Sequence, residues 1–357
     1  MATNGERRQR NGEIEFIRFV LAVAVLLFHM GYFLGWGGRL AIAPQGYLAV
    51  EAFFILTGYF LAQSWSKGNT GLLPCIGRRI KGFYPELLVS LGLAFCFRSV
   101  FAVPDCGRLH LFFSSFVKEA LLLKMTGILP TQGGVVNGPT WYLSSMMLAT
   151  IPLYFYCKFR RPDMLLMVMC IAVFAGLLHI AQDFISNPYI TIRGVYIGNI
   201  RAISEMGIGM CAFPVAAWTR KYTFTRAQRL ALTLVKHILL LLIVGYMLTR
   251  SPNAYLHLPW LLGVWMWLAL AMSEQCLDSN FFAIGIFCKM GKISLPLFLS
   301  HCSYAVTWNA LMPEAMPDWL KIACYLTAAA ATTAVVMGVS RLLRKHVPFF
   351  NSTRTQS

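Results

Sequence analysis

Ten apolar stretches, each near the length that crosses a bilayer as a helix, constrain this chain more than any other feature. They fall near residues 15–35, 45–64, 83–103, 140–157, 163–182, 196–218, 229–248, 256–274, 293–312 and 319–340. A spanning helix needs ~20 mostly apolar residues, whereas a barrel strand is about half as long and alternates in polarity. The expected fold is therefore all-α, a polytopic transmembrane helix bundle of about ten spans. Composition agrees: 57% of residues are hydrophobic and 13% charged, against about a quarter charged in a soluble domain. Residues 1–345 are expected to form one membrane domain and 346–357 a short cytoplasmic tail.

The net charge of +17 raises nucleic-acid binding as a question, but the basic residues form no single patch with interleaved aromatics, and no nucleic-acid partner is expected. They cluster instead between apolar runs. Arg7, Arg8 and Arg10 precede the first; Lys67, Arg78, Arg79 and Lys81 follow the second; Lys158, Arg160 and Arg161, then Arg220, Lys221, Arg226 and Arg229, then Lys289 and Lys292 fall at alternate loops; Arg341, Arg344 and Lys345 follow the last. The intervening loops are poorer, chiefly Arg39, Arg108, Lys118, Lys124, Arg193 and Arg250. The positive-inside bias then places both termini in the cytoplasm. The ten cysteines show no CxxC and no ligand spacing, so no metal site is expected.

Within the first span, "RFVLAVAVLLFH" carries Arg18 at one end and His29 at the other. Eleven residues at ~100° each make three turns plus ~20°, so the two share a helix face about 16 Å apart. Arg18 alone could snorkel to headgroups, and His29 alone could be a packing histidine. Their common face favours a polar cavity, where intramembrane ionisable groups belong. Glu51 lies about six residues from the outer end of the second span, as His29 does from that of the first, so the antiparallel pair brings them to similar depth. A carboxylate beside an imidazole would orient it for acyl transfer. A structural His–Glu pair is the competing reading.

Five segments together resemble the bacterial acyltransferase family 3, a family of integral membrane O-acyltransferases. "RFVLAVAVLLFH" is similar to its Arg-x10-His motif; "GYLAVEAFFILTGYFLA" to the next motif, with Glu51 at the usual aspartate; "RRIKGFYPELL" to the basic stretch ahead of span three; "NGPTWYLSSMM" to the Trp141-centred motif; and "GKISLPLFLSH" to the late motif ending in His301. The resemblance covers residues 11–345. Departures stand at Met146, where a glutamate is common, at Gly82 in place of an arginine, and at Leu295 and Pro296 in place of aromatics.

The resemblance implies transfer of an acyl group, usually acetyl from acetyl-CoA as co-substrate with no tightly bound cofactor, to a hydroxyl of a cell-surface carbohydrate or lipid-linked glycan. His29 would be the base or acyl carrier and Glu51 its partner, with Arg18, Arg79 and, as a substitute, Lys81 holding the donor beside Arg78. Guanidinium and ammonium groups at the cytoplasmic face suit CoA phosphates, and they equally suit topology-setting charge. His301 is a further site candidate. Arg201 and Glu205, four apart, read as a structural pair or an acceptor contact. Lys236 is expected to snorkel, and Trp260, Trp265 and Trp267 to form an interfacial belt. The rival functions are a transporter or flippase for a lipid-linked glycan or small solute, and a non-catalytic sensor or assembly partner. Consumption of acetyl-CoA separates them.

Overall fold

The structure is a computed structural model that describes residues 11–34, 42–68, 71–101, 109–128, 134–180, 187–249, 254–305, 308, 312–313 and 315–351. Arg7, Arg8, Arg10, Arg39, Arg108 and Arg250 lie outside the described residues.

The described chain is helical apart from one small hairpin. The long elements are α1 (Gly12–Phe33), α2 (Ala49–Ser66), α3 (Leu72–Phe101), the shorter α4 (Leu109–Ala120), α5 (Thr140–Phe159), α6 (Met164–Ile180), α7 (Ile197–Thr219), α8 (Arg226–Met247), α9 (Ala254–Ala271), the single turn α10 (Ser279–Phe282), α11 (Gly285–Ser300) and α12 (Asp318–His346). Six described helices are long and apolar enough to cross a membrane: α1, α2 with the turn before it, α3, α7, α8 and α12. The runs at 163–182 and 256–274 become shorter apolar helices. The run at 293–312 is interrupted, because α11 stops at Ser300 and His301 is its C-cap.

Two pairings organise the bundle: α1 lies along α11, and α2 along α7. Glycine permits the second. A Cβ on Gly58 would fall 1.9 Å from the Met206 carbonyl oxygen, and one on Gly209 2.0 Å from that of Ile55. Small residues let backbones touch where lipid supplies no hydrophobic drive between helices. Around this centre α5 and α6 pack on α7, α8 packs on α9, and α3 and α12 pack on α11. The outer helices turn apolar side chains outward: Leu234, Ile238, Leu241 and Leu242 of α8 are exposed, as are Val168, Met169 and Val173 of α6. A surface this apolar suits hydrocarbon.

Two expectations change. Lys236 does not snorkel. It is buried, and its Nζ lies 2.8 Å from Glu13 and 2.7 Å from Asp278, a paired charge that no longer needs water. Trp260 and Trp267 are buried rather than interfacial, and Trp260 donates to the Ile243 carbonyl of α8 at 3.1 Å.

The segment around α4 dips into the bundle. Phe112, Ser115 and Glu119 are buried along one face of α4, and Val136, Asn137 and Thr140 beyond it are buried too. Nearby, strands β1 (Thr191–Ile192) and β2 (Val195–Tyr196) form an antiparallel hairpin. Arg193 and Gly194 at its tip have φ of 49° and 83°, as a two-residue turn with both central residues left-handed requires.

Candidate active site

His29 lies on the face of α1 that meets α11, and His301 caps α11, so the α1–α11 packing brings the two imidazoles together. His29 Nδ1 is 3.3 Å from His301 Nε2, with ring centroids 4.8 Å apart. Two backbone carbonyls fix the tautomers of the neutral rings. His301 Nδ1 is 2.7 Å from the Phe298 oxygen, and a carbonyl oxygen accepts, so Nδ1 carries the proton and Nε2 is an acceptor. His29 Nδ1 is 3.0 Å from the Val25 oxygen, so it too carries a proton, and that one N–H is shared between the Val25 oxygen and, at the longer 3.3 Å, His301 Nε2. The lone pair of His29 is left on Nε2, the nitrogen a general base needs.

Glu51 is not part of this pair. Residues 51, 55 and 58 share one face of α2, and the Gly58 and Gly209 contacts turn that face to α7. Glu51 Oε1 there lies 3.5 Å from Arg201 Nη2, while Arg201 Nε reaches Glu205 Oε1 at 3.0 Å and its guanidinium sits 5.7 Å from the centre of a Trp141 ring. Four sequence candidates thus converge on a second cluster, all but Trp141 fully buried. The second oxygens of Glu51 and Glu205 are buried without a hydrogen bond. The Arg201–Glu205 pair expected from spacing is present, enlarged by Glu51.

Arg18 is partly exposed and pairs with Glu15 at 3.5 Å. The charges of Arg18 and Arg79 both reach the Tyr142 phenol, whose hydroxyl meets Thr57 Oγ1 at 3.1 Å. Arg78 is exposed, and Lys81 rests over the Phe349 ring at 4.7 Å. From Tyr142 an aromatic wall continues toward the histidines: Tyr142 to Phe298 at 5.6 Å, then Phe298 to His301 at 6.0 Å. Sequence reading missed Tyr142 and Thr57. Their only signal was adjacency to the Trp141 and Glu51 motifs, because a tyrosine or threonine in an apolar run reads as packing.

His29, His301 and Cys302 offer donor atoms within 4.8 Å of one another, an N/N/S set that a soft divalent ion takes. The charges of Arg98 and Lys124 both act on Cys302 and oppose a cation there. The same two imidazoles, already hydrogen-bonded, are better arranged to move a proton.

Comparison with known proteins agrees with the motifs. The family model described as an acyltransferase domain matches residues 11–341, nearly the whole chain. No curated protein and no solved structure matches the chain. With its apolar helices and this match over almost its full length, the chain belongs to acyltransferase family 3 and is a membrane acyltransferase.

Proposed function

We propose that the protein transfers an acetyl group from acetyl-CoA to a hydroxyl of a cell-surface carbohydrate or lipid-linked glycan, in a bacterial inner membrane that it crosses about ten times with both termini in the cytoplasm. The observation that carries this is the His29–His301 pair, whose carbonyl-fixed tautomers leave a lone pair on His29 Nε2 in a chain of this family. His29 Nε2 takes the acceptor hydroxyl proton as the oxygen attacks the thioester carbonyl. The C–S bond breaks, and the sulfur leaves with the proton returned by His29. His301, through its acceptor Nε2, holds the base in register. It fills the orienting role that the sequence suggested for Glu51.

The donor enters from the end of the bundle where α1 and α3 begin. Arg18 and Arg79, whose charges both act on Tyr142, hold its phosphates or pantetheine amides, and the wall of Tyr142 and Phe298 guides the thioester to the histidines. Glu51, Arg201, Glu205 and Trp141 hold α2, α5 and α7 in register behind the site. Charge-assisted hydrogen bonds to phosphate are stronger than neutral ones.

Protein purified into nanodiscs and given acetyl-CoA tests the reading. Loss of the thioester, abolished in His29→Ala, is the expected result. An intact thioester together with movement of a lipid-linked glycan across the bilayer would put the transporter reading first.

A further inference from the structure

Three side chains of nucleophilic type flank His301: Ser300, Cys302 and Ser303. Two are committed to other helices. Ser300 Oγ meets Thr333 Oγ1 of α12 at 3.2 Å, and Ser303 Oγ donates to the Ser90 carbonyl of α3 at 3.0 Å. The third turns to the imidazoles. One nitrogen of His29, one of His301 and Cys302 Sγ all lie within 4.8 Å of one another. Cys302 is a free thiol and only 4% exposed.

The turn that carries this thiol is pinned on both sides. α11 ends at Ser300. Before His301, the Leu299 carbonyl accepts from Asn137 Nδ2 at 2.9 Å; after Cys302 comes the Ser303 anchor to α3. Room is left beside the sulfur. A Cβ on Gly138 would sit 3.4 Å from Cys302 Sγ and 3.7 Å from its Cβ, ordinary contact distances, so a methyl-sized space lies against the thiol.

The surroundings suit a sulfur that takes on negative charge. The charges of Arg98 and Lys124 act on Cys302, and nearby cations favour the thiolate, the nucleophilic form. Each neutral imidazole keeps a lone pair on Nε2, so the pair can receive the thiol proton. A nucleophile with an adjacent base, and the base oriented by a third group, is the arrangement of covalent catalysis. Because Cys302 is buried, its proton passes to an imidazole in the attacking step rather than to water beforehand.

We propose that Cys302 carries the acetyl group from acetyl-CoA to the acceptor as a thioester on its Sγ. The proposal rests on His29 being the transfer base. In the first step Cys302 Sγ attacks the acetyl-CoA carbonyl and its proton passes to the imidazole pair. The C–S bond to CoA breaks, and the CoA sulfur leaves with that proton. One thioester replaces another, so the step is readily reversible. In the second step the acceptor oxygen attacks the acetyl carbonyl on Cys302, and His29 Nε2 takes the hydroxyl proton. The C–Sγ bond breaks, and the proton returns to Sγ. The thioester that the acceptor meets is then the protein's own, and CoA departs before the acceptor takes its place.

Nanodisc protein given acetyl-CoA and labelled free CoA, with no acceptor, reads the first step alone. Wild type should move the label into acetyl-CoA. Protein quenched in acid after labelled acetyl-CoA should yield a peptide acetylated on Cys302 that neutral hydroxylamine strips. Cys302→Ala should lose the exchange and, in membrane vesicles from producing cells, the incorporation of acetyl into the glycan fraction. Cys302→Ser keeps nearly the same volume and serves where the alanine variant fails to insert. It should lose the exchange too, because an oxygen ester does not return its acetyl to CoA. Wild type that incorporates acetyl into glycan without any exchange overturns the carrier. Exchange or incorporation that survives both substitutions, or acetyl mapped to His29, overturns it as well. Incorporation that survives His29→Ala overturns the transfer base instead, whatever the Cys302 variants do.

Discussion

His29 Nδ1 and His301 Nε2 lie 3.3 Å apart, each ring held by a carbonyl of its own helix, Val25 for one and Phe298 for the other. The two positions should therefore fail differently. His29→Ala removes the base and should cost ~10²–10⁴ in kcat, the usual worth of a general base, with the acetyl-CoA KM nearly unchanged. His301→Ala should cost less, about tenfold, again in kcat rather than KM. His301→Gln, whose side-chain oxygen can accept from His29 Nδ1, should recover part of that loss. Steady-state kinetics on the three variants checks this, and a His301→Gln no better than His301→Ala would remove the orienting role.

For the donor site, Arg79→Gln and Arg18→Gln should each weaken acetyl-CoA binding about tenfold or more, from 1.5–3 kcal/mol per charged hydrogen bond. Arg78→Gln, at an exposed position, should cost less. Arg18→Lys should rescue only in part, because a planar fork and a point charge are not equivalent. Isothermal titration with CoA on inactive His29→Ala protein ranks them, and equal affinities throughout would leave these residues as topology signals.

Arg201 sits between Glu51 and Glu205 with no exposure to speak of. Arg201→Met strands two buried carboxylates and should destabilise the protein by about 3–5 kcal/mol, read as a fall in the thermal midpoint in detergent. Adding Glu51→Gln and Glu205→Gln to Arg201→Met should restore most of it, since the penalty lies in uncompensated charge. A triple variant as unstable as the single one would make the arginine's packing, rather than its charge, the important term.

Gly58→Ala and Gly209→Ala should each loosen α2 from α7, because the added methyl meets backbone rather than a flexible side chain. Overpacking costs about 1–3 kcal/mol. Gly92→Ala, with nothing within 4 Å of the new methyl, is the control and should be neutral or slightly stabilising in its helix.

If the termini face the cytoplasm, a cysteine at Thr191, exposed on the hairpin, should react with an impermeant maleimide added to intact cells, and one at Thr223, exposed between α7 and α8, should not. Labelling at 223 from outside would invert the bundle and place the donor site on the wrong face.

The sequence by itself determined what depends on neighbours along the chain. Long apolar runs demand helices, because hydrocarbon offers backbone groups no other partner. The eleven-residue spacing put Arg18 and His29 on one face, because α-helical geometry fixes that angle. The motifs from Arg18 to His301 pointed to the family that the whole-chain match then showed. Tertiary structure decided which face meets which. The rotation of α2 that sends Glu51 to Arg201 is set where Gly58 and Gly209 let two backbones touch, and depth along two helices carries no information about rotation. The partner His29 does find is 272 residues away, and it is available because α11 stops at Ser300 inside a run that reads as one continuous span. Lys118 and Lys124 read in sequence only as scattered charges of a poorly basic loop. In the fold Lys124 is buried against Glu119, whose carboxylate also accepts from the Val136 and Asn137 amides and the Thr140 hydroxyl, partners that periodicity cannot foresee.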